Sequence, residues 1–113
     1  MINFKNLTDR QFRACLGYSF DEFQCLLKDF EATYFEKHHM TYAEYIIENV
    51  TATPQFKTLE DCLHLVLFQI KNDLIWDSLS AVFNKPTTTV RDNFKQFSKL
   101  LEEALEKKSN ASS

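Results

Sequence analysis

Ile75-Trp-Asp-Ser-Leu-Ser-Ala-Val-Phe-Asn-Lys-Pro-Thr-Thr-Thr-Val-Arg-Asp-Asn-Phe94 is the stretch whose reading decides how this chain folds. Ile75, Trp76, Leu79, Val82 and Phe83 recur at the spacing of a single helix face. Asn84 tolerates the left-handed region and can close that helix. Pro86 cannot continue a helix but can stand in the first turn of the next one. Val90, Phe94, Phe97, Leu101 and Ala104 then mark the inward stripe of a longer helix. The pattern predicts two helices joined by the tight turn Asn84-Lys85-Pro86, which is the layout of a helix-turn-helix.

Working outward, Leu59, Cys62, Leu63, Val66, Leu67 and Ile70 fall at i, i+3, i+4, i+7, i+8 and i+11. Leu65 and Phe68 widen that stripe, so this helix is expected to be central and buried on most sides. Thr58 caps it and Asn72-Asp73 breaks it. Upstream, Thr8 with Gln11 forms a capping box before a short helix that buries Phe12, Cys15 and Leu16 and ends at Gly17, the one glycine. Ser19 opens a second helix with Asp21 and Glu22 in its first turn. Its stripe of Phe20, Phe23, Leu27, Phe30 and Tyr34 runs to about His39. A weaker helix spans Thr41 to Asn49, with Tyr42, Tyr45 and Ile46 inward. Val50-Thr-Ala-Thr-Pro-Gln55 reads as an extended link and the plausible hinge.

These readings predict an all-α fold, a compact bundle of about five to six helices containing a helix-turn-helix. It is a single domain over residues 1–113, with N-terminal helices in 1–53, the helix-turn-helix portion in 56–106 and a frayed polar tail in 107–113. At 113 residues, 44% apolar and with eleven Phe, the chain can bury an aromatic-rich core without metals or disulfides. One Gly and two Pro argue against a β-sandwich or a Gly-rich phosphate loop. No apolar run of about 18 residues is present, and the N-terminus lacks a signal-peptide core. Cys15, Cys25 and Cys62 read as reduced thiols filling small core positions in a cytoplasmic protein.

Net charge is −3, which opposes a whole-surface attraction to nucleic acid, but the charge is unevenly spread. Residues 1–53 hold five Lys and Arg against eight Asp and Glu, and residues 54–113 hold eight of each. Within 85–101, Lys85, Arg91, Lys95 and Lys99 face only Asp92. Thr87, Thr88 and Thr89 start the second helix of the motif with hydroxyls short enough for phosphate or base edges, beside free helix N–H groups. Arg91 suits guanine and Asn93 adenine, while Lys85, Lys95 and Lys99 suit phosphates. The same residues also fit a solvated basic face with Thr87 as a plain N-cap.

Other chemically capable residues read as structural. His38-His39 sits where cations favour a helix C-terminus, and no further ligands lie at metal spacing. His64 reads as a partly buried core histidine, Asp61, Asp73 and Asp77 as caps and surface, and Trp76 as core. No nucleophile–base pair, metal site or cofactor is assigned.

The segment Phe56-Lys-Thr-Leu-Glu-Asp-Cys-Leu-His-Leu-Val-Leu67, the run Leu79-Ser-Ala-Val-Phe-Asn-Lys-Pro-Thr-Thr-Thr-Val90 and Leu100-Leu-Glu-Glu-Ala-Leu105 together resemble the N-terminal helix-turn-helix domain of bacterial insertion-sequence transposases of the DDE superfamily. Leu7-Thr-Asp-Arg-Gln-Phe12 and Gly17-Tyr-Ser-Phe-Asp-Glu-Phe23 are similar to that family's opening helices. Asn84 and Pro86 stand where the family has Gly and Ser, and 50–55 replaces a basic link. The resemblance implies binding of double-stranded DNA through the 87–101 helix. It implies no catalysis by this chain alone, because the Asp/Asp/Glu nuclease domain of such transposases lies downstream. The implied partners are duplex DNA and either a catalytic transposase chain or a second copy, with no membrane. The alternative is a helical protein-interaction or dimerisation module that has lost DNA binding, with Leu100, Leu101, Ala104 and Leu105 as its seam.

Overall fold

Capping chemistry sets where the helices begin. The computed structural model describes residues 3–49 and 55–111. After a 3-10 turn at Phe4–Asn6 come α1 (Asp9–Leu16), α2 (Phe20–His38), α3 (Tyr42–Asn49), α4 (Leu59–Asn72), α5 (Trp76–Phe83) and α6 (Thr87–Ala111). No strand occurs among the described residues, so the fold is an all-α bundle. The expected hinge at 50–55 lies, apart from Gln55, outside the described residues.

Thr8 with Gln11 and Ser19 with Glu22 both close reciprocal capping boxes, satisfying N–H groups that a helix start leaves unpaired. Thr58 Oγ1 accepts from Asp61 N at 3.1 Å. Four helices stop on a left-handed residue: Gly17, His39, Asp73 and Asn84, with φ of 83°, 59°, 47° and 54°. Gly17 takes this conformation without a Cβ penalty, and the other three do so at a modest cost.

α4 is the axis of the bundle, and every residue from Cys62 to Gln69 is buried. α1 and α2 cover one side, and α5 and α6 the other. α6 also lies against α2, where Phe30 meets Phe97 with ring centroids 6.2 Å apart. Lys37–Glu103 at 3.0 Å and the Lys107–Glu36 pair bridge the same two helices at the surface. Two amide side chains tie the connections. Gln69 is buried and bonds both ways to the Leu74 backbone, at 2.7 and 3.1 Å, which fixes the α4–α5 corner. Asn72 Nδ2 donates to the carbonyls of Cys15 and Phe68, at 3.1 and 2.8 Å.

Several expectations are corrected. Ile70 and Ile75 follow the periodic pattern but are 58% and 72% exposed, because no element covers that corner. Ile75 precedes α5 as its N-cap, and Pro86 precedes α6 in place of joining its first turn. Phe20 is partly exposed, although its ring lies 4.6 Å from Phe12. Cys25 lies on the exposed side of α2, off the stripe set by Phe23, Leu27 and Phe30; Cys62 is buried and Cys15 half-buried. The last helix does not end near 106 but continues to Ala111. Leu100, Leu101 and Ala104, the seam of the alternative reading, are buried within this chain, and only Leu105 is exposed.

Candidate nucleic-acid interface

The interface is built around the 84–86 turn. Asn84 closes α5 with its N–H bonded to the Ser80 carbonyl, and Lys85 N reaches the same carbonyl at 3.2 Å. Ser80 Oγ in turn donates to the Lys85 carbonyl. Thr87 Oγ1 donates to Asp77 Oδ1 at 3.1 Å, tying the first turn of α6 to the first turn of α5. Behind this brace, Leu79, Phe83, Val90 and Phe97 are buried, and Trp76 meets Phe94 with centroids 5.7 Å apart. Packing of this density fixes the angle at which α6 leaves the turn.

The eight residues singled out by sequence divide by position. Thr88, Lys95 and Lys99 are exposed. Neither Lys95 nor Lys99 has an ion-pair partner among the described residues. Arg91 is half-exposed. Its Nε lies 3.8 Å from Asp92 Oδ1, too long for a hydrogen bond, and is itself enclosed without a hydrogen-bond partner. Lys85 is half-buried with its ammonium 6.0 Å from the centre of the Phe56 ring. Thr87 is half-buried and engaged with Asp77. Asn93 Nδ2 donates to the Thr89 carbonyl at 2.9 Å, so its amide turns back along its own helix. The fold therefore groups Thr88, Arg91, Lys95 and Lys99 as outward-facing residues of α6, and holds Thr87, Thr89, Asn93 and Lys85 in internal contacts.

Sequence reasoning did not find the braces. Asp77 and Thr87 are ten residues apart, across a turn, and no periodic signal connects them. Ser80 gives none either, since a hydroxyl on an apolar helix has no obligatory partner.

The remaining titratable groups offer no activated chemistry. Burial pushes the Cys62 thiol up to about 12, so it stays protonated and unreactive. Burial likewise raises the Tyr34 hydroxyl to about 12, and raises that of Tyr42, which donates to the Phe56 carbonyl at 2.8 Å. Among the described residues no group of three His, Cys, Asp or Glu is placed to hold a metal, and no helix is long and apolar enough to cross a membrane.

No family model, curated protein or solved structure matches the chain.

Proposed function

We propose that the chain is a DNA-binding helix-turn-helix domain of the transposase type, non-catalytic by itself. The observation that carries the reading is the outward face of α6, where Lys95 and Lys99 stand exposed and unpaired beside half-exposed Arg91, on a helix braced at the preceding turn. Such a helix presents its start and outer face to a major groove. Thr88 meets a phosphate or base edge, Arg91 reads guanine, and Lys95 and Lys99 follow the phosphates. Lys85 adds a phosphate contact by leaving the Phe56 ring. Asn93 reads adenine after releasing the Thr89 carbonyl, at a cost of about 1 kcal/mol. The acidic N-terminal half confines attraction to this face.

The test is an electrophoretic mobility shift of duplex DNA by the wild-type chain and by Arg91→Ala plus Lys95→Ala. Retardation by the wild type and its loss in the double variant supports the reading. Equal retardation by both refutes it.

A second reading, a protein-interaction module, is favoured by Ile70 and Ile75, which expose aliphatic surface at the α4–α5 corner. Sedimentation separates the two: a stable dimer indifferent to added DNA supports the interaction module.

A further inference from the structure

We propose that the cavity beneath the 84–86 turn, walled by Phe4, Phe56 and Phe83 and bordered by His64, Lys57 and Lys85, binds a small aromatic carboxylate. It encloses about 200 Å³. An apolar cavity of about 150 Å³ accepts benzene, so this one holds a single ring with one small substituent. It is smaller than the pockets that take nucleotides or drug-sized molecules.

The walls select a flat ring. Phe4, Phe56 and Phe83 are each at least 96% buried. Their rings meet at tilted angles, Phe4 to Phe83 at 6.0 Å and Phe56 to Phe83 at 6.4 Å, and so present edges and faces to a fourth ring.

His64 supplies the observation that points to a ligand. It is 93% buried, clasped between Phe4 at 4.7 Å and Phe23 at 4.9 Å, and has no hydrogen-bond partner among the described residues. A buried polar ring lining a cavity without a partner is rare in a folded chain, because it leaves a desolvated donor and acceptor unmet. Burial also holds its pKa below the usual value, so the imidazole is neutral near pH 7 and can donate one bond.

Charge selects an anion. Lys57 and Lys85 border the cavity against the single carboxylate of Asp61. A ring carboxylate seats its apolar body among the phenylalanines and its oxygens toward His64 and one ammonium. The proposal does not depend on DNA binding.

The test follows the His64 imidazole signals of the full chain by NMR during titration with benzoate, acetate and benzamide. Benzoate is expected to shift them saturably, while acetate, which lacks the ring, and benzamide, which lacks the charge, do so far more weakly. Lys57→Gln plus Lys85→Gln should weaken benzoate about tenfold, the loss of one charge-assisted hydrogen bond. Circular dichroism checks that the variant keeps its helices. The inference is overturned by the absence of a saturable shift with benzoate, by equal binding of acetate or benzamide, or by undiminished binding in the folded double variant.

Discussion

Removing Arg91 and Lys95 should change the salt dependence of DNA binding by an amount that the structure fixes. Four cations border the proposed interface: Lys85, Arg91, Lys95 and Lys99. If each meets one phosphate, log K falls against log salt with a slope of about −3.6, since each contact contributes about −0.9. A rise from about 50 to about 200 mM salt then weakens binding about 150-fold. Arg91→Ala plus Lys95→Ala halves the slope to about −1.8, and the same rise costs the variant only about 12-fold. The Arg91–Asp92 contact does not alter this count. It spans 3.8 Å between side chains that are 42% and 65% exposed, and pairs of that kind are worth about 0–1 kcal/mol, so a phosphate displaces Asp92. Fluorescence anisotropy of a labelled duplex across a KCl series gives both slopes. A wild-type slope near zero, or an unchanged slope in a variant that keeps its helical circular dichroism, would refute the placement of these side chains on the polyanion.

Three further outcomes are expected. Burial lowers the folded-state pKa of His64 below 6.5, so the unfolded chain takes up this proton first; stability should fall as pH drops through about 6.5 and level off below the folded value. Urea midpoints at about pH 7.5 and about pH 5.5 should differ more for the wild type than for His64→Leu. Asn84→Ala should lower stability by about 1 kcal/mol in thermal melts while Asn84→Gly does not, because φ of 54° penalises a Cβ that lacks the Asn side chain's local bonding; equal melts for the two would contradict this. Leu101→Glu should unfold the chain rather than release a monomer from a dimer, since Leu101 is buried against its own helices; a folded variant that only changes sedimentation would favour an intermolecular seam.

The candidate interface was half legible in the sequence. The position of the turn and the basic spacing of α6 follow from local chemistry: Asn84 accepts positive φ, Pro86 blocks continuation, and cations four apart share a helix face. Their availability did not. Lys95 and Asn93 read equally well as outward polar residues, yet one ends exposed and the other bonds back to Thr89. Thr87 read as a free hydroxyl or a cap, and it is instead a tether to Asp77. Each of these depends on a partner that periodicity does not encode.

Amphipathic period and capping residues by themselves determined the helices and most of their ends, because both act within one turn of backbone: Thr8 with Gln11, Ser19 with Glu22, Thr58, Gly17 and Asn84 all behave as local rules require. Tertiary structure alone decided which apolar faces are covered. Ile70 and Leu101 sit on equally regular stripes, but α2 lies over one and nothing lies over the other. It also decided that His64 is clasped between Phe4 and Phe23 above an enclosed cavity. Burial is a property of how helices meet, and that meeting joins residues far apart in the chain.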